Sequence, residues 1–131
     1  MKINLSQAGK RFNREWIFRN ATLDFEQGIS YAITGPNGSG KSTLLQCIAG
    51  MMQLSEGGIE YAIGNKRLVI DKVFAAISFC APSLDLIEEL TLTEFLNFHF
   101  RFKKAANHFS SNDIISYTGL EHARKKTFRY F

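Results

Sequence analysis

The stretch from Ile29 to Met51, ISYAITGPNGSGKSTLLQCIAGM, restricts this chain more than any other. It reads as a short apolar strand through Tyr31, Ala32, Ile33 and Thr34, a glycine-rich loop, and an amphipathic helix with Leu44, Leu45, Ile48 and Ala49 at helical spacing. The loop, GPNGSGKS at 35–42, satisfies G-x-x-x-x-G-K-[ST] at every position. Gly35, Gly38 and Gly40 permit backbone angles that a Cβ forbids, so successive N–H groups can turn inward around an anion. A helix beginning near Lys41 aims its unpaired N–H groups and positive dipole end at the same point. Lys41 then reaches the β- and γ-phosphates, and the Ser42 hydroxyl is placed to ligate Mg²⁺. Glycines also make ordinary turns, but strand before and helix after is the context this motif requires, and the reading is a nucleoside triphosphate site.

The 131 residues suffice for one domain, or part of one, with a sizeable core. Hydrophobic residues at 45% and charged residues at 21% argue against disorder. No apolar run nears the roughly 20 residues that span a bilayer. The opening MKINLSQAGKRF lacks the apolar centre of a signal peptide, so a cytosolic chain is expected. A net charge of +4 and a pI near 9.2 permit contact with nucleic acid or a membrane surface without requiring it. The late basic residues Arg101, Lys103, Lys104, Arg124, Lys125, Lys126 and Arg129 never form a dense block and read as a solvated face. Cys47 and Cys80 lack metal-ligand spacing and read as reduced thiols. His99, His108 and His122 read as core or surface histidines rather than ligands.

Along the chain, Lys2 to Ala8 predicts an edge strand, Gly9 to Asn13 a turn, and Trp16 to Phe18 with Ala21 to Phe25 further strands. After the helix, Ile59, Tyr61 and Ile63 alternate, Gly64-Asn65 can turn, and Arg67 to Ile70 returns as a hairpin. Leu68-Val69-Ile70-Asp71 has a second reading, an apolar strand ending in a Mg²⁺-binding aspartate. Ala75 to Cys80 predicts a buried strand. Thr91-Leu92-Thr93-Glu94 is a capping box opening a helix whose apolar stripe is Leu92, Phe95, Leu96, Phe98 or His99, and Phe102. A second helix begins after Ser110 or Ser111, runs through Ile114, Ile115 and Tyr117, and stops at Gly119.

GPNGSGKSTLL resembles the Walker A loop of ATP-binding cassette (ABC) ATPases more than that of small GTPases or kinases. Asn20-Ala21-Thr22-Leu23-Asp24-Phe25, Gly28, Ala49-Gly50 and Leu90-Thr91-Leu92-Thr93-Glu94-Phe95-Leu96 agree with it. The resemblance covers nearly the whole chain, but only the first half or so of such a cassette. It implies an α/β P-loop NTPase fold of ABC type, with an N-terminal antiparallel β region and the start of a helical subdomain. Residues 1–85 would be the nucleotide-binding core and 86–131 the beginning of the helical subdomain. The implied function is the ATP-binding subunit of an ABC transporter, which when complete hydrolyses Mg-ATP to drive transport. Its implied partners are a transmembrane permease subunit and a second ATPase subunit, at the inner face of the membrane. Nucleic acid is not an expected partner. Three alternatives stay open: a soluble ABC-type ATPase acting on nucleic acid or ribosomes, a compact non-ABC P-loop NTPase using Asp71, and a pure binding module.

By the same resemblance, ATP would be held by Phe12, Gly35, Asn37, Gly38, Ser39, Gly40, Lys41, Ser42 and Thr43, with Ser42 on Mg²⁺. Phe12 enters because an aromatic residue, more often tyrosine, stacks on adenine at the position matching Gly9-Lys10-Arg11-Phe12. Phe12 as a core residue of a small sheet, and Trp16 as the stacker, are the competing readings. The chain departs from the family pattern at Pro82, where a glutamine would touch Mg²⁺ and sense the membrane partner; Ser83 is the neighbouring hydroxyl. Lys72 follows Asp71 where the family's Walker B has glutamate. The Walker B strand, expected beside Tyr31–Thr34, has no convincing match, nor do the serine-glycine-glycine signature, the catalytic glutamate and the switch histidine. No catalytic residue is therefore assigned, and the 131-residue chain alone is not expected to turn ATP over. Residues around Asp85 to Phe95 would lie near the groove that receives the permease's cytoplasmic helix.

Overall fold

The computed structural model describes residues 1–81, 84–103, 105 and 108–131. Pro82, Ser83 and Lys104 lie outside the described residues, and with them the substitution for glutamine at 82. Two compact units divide the chain at Phe79 and Cys80, Met1–Phe79 and Cys80–Phe131.

The first unit is an antiparallel sheet with a helix against it. Strands β1 (Lys2–Phe12), β2 (Glu15–Glu26), β3 (Glu56–Ile63) and β4 (Lys66–Leu68) lie in the order β2-β1-β3-β4. The expected edge strand at residues 2–8 is thus an interior strand, paired on both sides. It also runs on through the expected turn at 9–13. The chain reverses only at Asn13 and Arg14, with Asn13 at φ 54° and Phe12 facing Glu15 across the closed hairpin. Gly9 sits in mid-strand because Trp16 and Glu56 cross there; a Cβ on it would lie 2.7 Å from Glu56 Cγ and 2.9 Å from Trp16 Cζ3. The pieces expected at 16–18 and 21–25 are one strand, with Asn20 inside it at φ 54°.

Helix α1 (Lys41–Ile48) follows the glycine loop as expected. Its Cys47 is buried together with Leu5 and Ala8 of β1, Tyr61 of β3 and Val73, and each large apolar side chain fully removed from water stabilises by about 1.5–3 kcal/mol. Tyr61 places its hydroxyl at the C-terminal end of α1 and donates to Ile48 O at 3.0 Å, with Cys47 O at 3.4 Å. Burial, with a smaller contribution from Cys47, pushes that phenol's pKa up to about 12.

The β3–β4 hairpin forms as read, but its return strand ends at Leu68. Residues Ile70–Lys72 make a 3-10 turn that leads into the short helix α2 (Val73–Ala76). The strand expected at 75–80 is absent: Ala75 and Ala76 are helical, and the residues after them enter no ladder. The strand expected at 31–34 is absent too, with Ile29 and Tyr31 about half exposed. Apolar composition alone does not make a strand, which also needs a second strand to accept its backbone hydrogen bonds.

In the second unit, α3 (Leu92–Phe102) and α4 (Ser111–Tyr117) each begin in a capping box. Thr91 Oγ1 accepts from Glu94 N while the Glu94 carboxylate accepts from Thr91 N and Oγ1, and Ser110 and Asp113 repeat the arrangement. Gly119 follows α4 at φ 70°, the left-handed exit its sequence predicts. Leu92, Ile115 and Ala123 are buried, and the Phe95 ring meets Phe128 edge-on at 5.2 Å. The stripe on α3 is Leu92, Phe95, Leu96, His99 and Phe100. Phe98 and Phe102, expected within it, stand exposed and pack on each other at 5.2 Å.

Candidate functional site

The loop at 35–40 ends at Gly40, the N-cap of α1, whose φ is 86°. No side chain caps this helix, so its first-turn N–H groups remain available to an external acceptor. Gly40 is required twice over, by its left-handed backbone and by Ile17 of β2, whose Cγ2 would lie 2.5 Å from an added Cβ. Asn37, Gly38, Ser39, Gly40, Lys41, Ser42 and Thr43 line one cleft of about 430 Å³, within the range of small-molecule sites. Among the described residues that line it, Lys41 is the only charged side chain. Its ammonium donates to Gly35 O at 2.9 Å and Pro36 O at 2.7 Å, which holds it across the base of the loop. Gly35 takes part through that carbonyl and is not among the lining residues.

Ile17 also lines the cleft, and sequence reading missed it. Its only sequence signal was membership of β2. The contact arises from the hairpin carrying β2 over the loop, which no local pattern encodes.

Phe12 does not line the cleft, and its place in the hairpin separates the competing readings. It is 46% exposed, which excludes a core role. It alternates with Ala8 and Lys10 on one face of β1, and Lys10 Nζ lies 5.2 Å from its ring centroid. The Lys10 ammonium donates to Gln53 O at 2.9 Å, past the end of α1, and its charge partly offsets the burial that raises the Cys47 thiol's pKa. Trp16 pairs with Arg11 on the opposite face. There the Arg19 and Arg11 guanidinium groups lie 4.6 and 5.5 Å from its ring, and Arg19 is held by two hydrogen bonds to Glu56. Asp71 sits exposed in the turn after β4, with Val69 59% exposed, and so does not end a buried strand. Among the described residues, no group of three or more His, Cys, Asp or Glu side chains is placed to hold a metal ion.

A glycine loop leading into an uncapped helix, with one lysine across it and an antiparallel sheet beside it, defines a P-loop α/β nucleotide-binding fold. Comparison with known proteins narrows this class. The family model described as ABC transporter matches residues 18–130, and the chain belongs to that family. The spermidine/putrescine import ATP-binding protein PotA of Fusobacterium nucleatum is 30% identical over 129 residues, covering 95% of this chain and 34% of that protein. The maltose/maltodextrin import ATP-binding protein MalK of Yersinia pestis is 31% identical over 124 residues, covering 92% and 33%. The energy-coupling factor transporter ATP-binding protein EcfA1 of Thermotoga maritima is 41% identical over 59 residues, covering 45% and 22%. The chain therefore spans about a third or less of the length of these relatives. Among solved structures, the fold matches the ATP-binding cassette MJ0796 in a dimeric post-hydrolysis state bound to ADP and Pi, with a TM-score of 0.77 at 24% identity over 98% of this chain and 62% of that one. An ATP-binding subunit of an ABC transporter matches with a TM-score of 0.81 at 21% identity, over 100% and 56%.

Proposed function

We propose that this chain is the Walker A portion of the ATP-hydrolysing subunit of an ABC transporter, and that it binds Mg-ATP at the 35–43 loop. The observation that carries the reading is the cleft itself, lined by the glycine loop, the start of the uncapped helix α1 and Lys41. A glycine loop, a helix start and a lysine around one small volume, with no acid among the described residues lining it, suit a polyphosphate. Gly35, Asn37, Gly38, Ser39, Gly40 and Thr43 would form the cradle, and Phe12, exposed on β1 and outside the cleft lining, would be the platform for the adenine.

Mg²⁺ fits the same donors. Ser42 brings an exposed hydroxyl, a hard oxygen, to the cleft, and Mg²⁺ commonly takes few protein ligands while keeping waters and phosphate oxygens. Bound there, the ion would neutralise phosphate charge. The residues of this chain orient and hold the nucleotide. Among the described residues lining the cleft there is no carboxylate or histidine, and we expect the chain alone to bind without turnover, hydrolysis belonging to the complete protein.

Residues 1–85 would serve as the nucleotide-binding core and 86–131 as the opening of a helical subdomain. The partners of the complete protein would be a permease subunit and a second ATPase subunit, at the inner face of the membrane. Support comes from the relatives, several of which carry import or export in their names. Among the described residues no helix is long and apolar enough to cross a membrane. Because those names cover different cargoes, the proposal stops at ATP-driven transport.

The test is calorimetric titration of Mg-ATP into the folded chain and its Lys41→Ala variant. Losing the charged donor should weaken binding by about 1.5–3 kcal/mol, roughly ten- to hundredfold in Kd. Unchanged affinity would overturn the site.

A further inference from the structure

The end of β1 is tied to the segment that leaves α1. Ser55 N donates to Gly9 O at 2.8 Å, Arg11 N donates to Ser55 Oγ at 3.1 Å, and Lys10 Nζ donates to Gln53 O at 2.9 Å. Of the residues in these ties, Lys10 is the one that reaches Phe12: its ammonium lies 5.2 Å from the Phe12 centroid, within cation–π range. One side of Phe12 is thus engaged by a cation anchored to the chain just past the phosphate-loop helix, while the ring as a whole is 46% exposed. The hydrogen bond to Gln53 O fixes the ammonium, and the ammonium in turn restrains the ring, whose Cα–Cβ bond would otherwise let it turn freely in water.

From this geometry we infer that Lys10 is a positioning residue for the nucleotide base: it holds the Phe12 ring at a set place relative to the phosphate loop, with its other face turned to an adenine. The inference rests on the reading of Phe12 as the base platform. Lys10 touches neither phosphate nor base in this role; it acts through the ring. A guanidinium can do the same, whereas an uncharged chain of similar length cannot.

The experiment compares the affinities of Mg-ATP and Mg-bound inorganic triphosphate by calorimetry for the 131-residue chain and its Lys10→Met, Lys10→Arg, Phe12→Ala and Lys10→Met/Phe12→Ala variants, with the thermal midpoint of each measured alongside. Lys10→Met should weaken ATP by about two- to fivefold while leaving inorganic triphosphate unchanged. Lys10→Arg should restore most of the loss, and Lys10→Met should have no further effect once Phe12 is alanine. A selective loss of ATP in Phe12→Ala but not in Lys10→Met overturns the role of Lys10 and leaves the platform standing. No selective loss in either variant overturns both. An equal loss for the two ligands in Lys10→Met, accompanied by a lowered thermal midpoint, makes Lys10 a structural tie only and overturns the inference.

Discussion

Replacing Gly40 by alanine should cost the fold more than replacing Gly38, although the two glycines share a loop and nearly share a backbone conformation, at φ 86° and 80°. The left-handed backbone alone penalises any Cβ by about 1–2 kcal/mol at either position. At Gly38 nothing lies within 4 Å of the added Cβ, so the penalty ends there. At Gly40 the same atom falls 2.5 Å from Ile17 Cγ2 and 3.4 Å from Ile17 O, so β2 or the loop must move. Overpacking of this kind adds about 1–3 kcal/mol, bringing Gly40→Ala to about 2–5 kcal/mol. Urea unfolding of the two variants measures the difference, and a Gly40→Ala/Ile17→Ala double-mutant cycle assigns it, because removing Cγ2 should return much of the overpacking share. Mg-ATP titration should show the same ranking, since the displaced backbone carries the phosphate-facing N–H groups. Equal cost at 38 and 40, or a cycle without coupling to Ile17, would refute the packing of β2 on the loop.

Other expectations follow from residues away from the loop. Asp71→Asn should leave Mg²⁺-dependent nucleotide binding nearly intact, as Asp71 sits in an exposed turn; a large loss of metal dependence in the titration would make it a site residue. Backbone and side-chain donors of Thr91 hold the Glu94 carboxyl below its ordinary pKa, and the Ser110 side chain and backbone do the same for Asp113. Carboxyls depressed in the folded state stabilise above their unfolded pKa, and that contribution is lost as the pH falls through the folded value. Thr91→Ala, which removes the hydroxyl and keeps the N–H, should therefore destabilise the chain at about pH 7 and less at a pH below the folded carboxyl's lowered pKa, where Glu94 is protonated. Urea midpoints at the two pH values check this, and an equal shift at both would show that the carboxylate is not involved.

What the sequence discloses here are features whose partners lie within a few residues. The phosphate loop, the helix behind it, both capping boxes, the left-handed exit at Gly119 and the Gly64-Asn65 hairpin are each set by contacts at short separation. Strand status is different. Residues 31–34 and 77–80 have strand composition, yet neither run is a strand, because composition alone does not supply the second segment of backbone that a ladder needs. Conversely, the run from Gly9 to Phe12 has turn composition but is drawn into β1, Gly9 by pairing with Glu56 of β3 and residues 10–12 by pairing with β2. The site divides the same way. The half formed by the glycine loop is local and legible, while Ile17 reaches it only through a hairpin folding back across sequence.

The hydroxyl of Tyr61 at the far end of α1 bears on how such a chain tolerates insertion and deletion. Tyr61 faces Ile3 in the neighbouring strand and reaches Ile48 O at the helix terminus, so the sheet acts as a ruler against which the helix, and the loop at its other end, is set. One residue added within β3 ahead of Tyr61 would turn that side chain to the other face of the sheet and leave the helix end without its donor. One residue added at Gly64-Asn65, beyond the ruler's mark, would change only the length of an exposed turn. Within the β3–β4 hairpin, length variation that keeps Tyr61 at the helix end is therefore confined to the turn side of Tyr61, a restriction that α1 imposes on a strand.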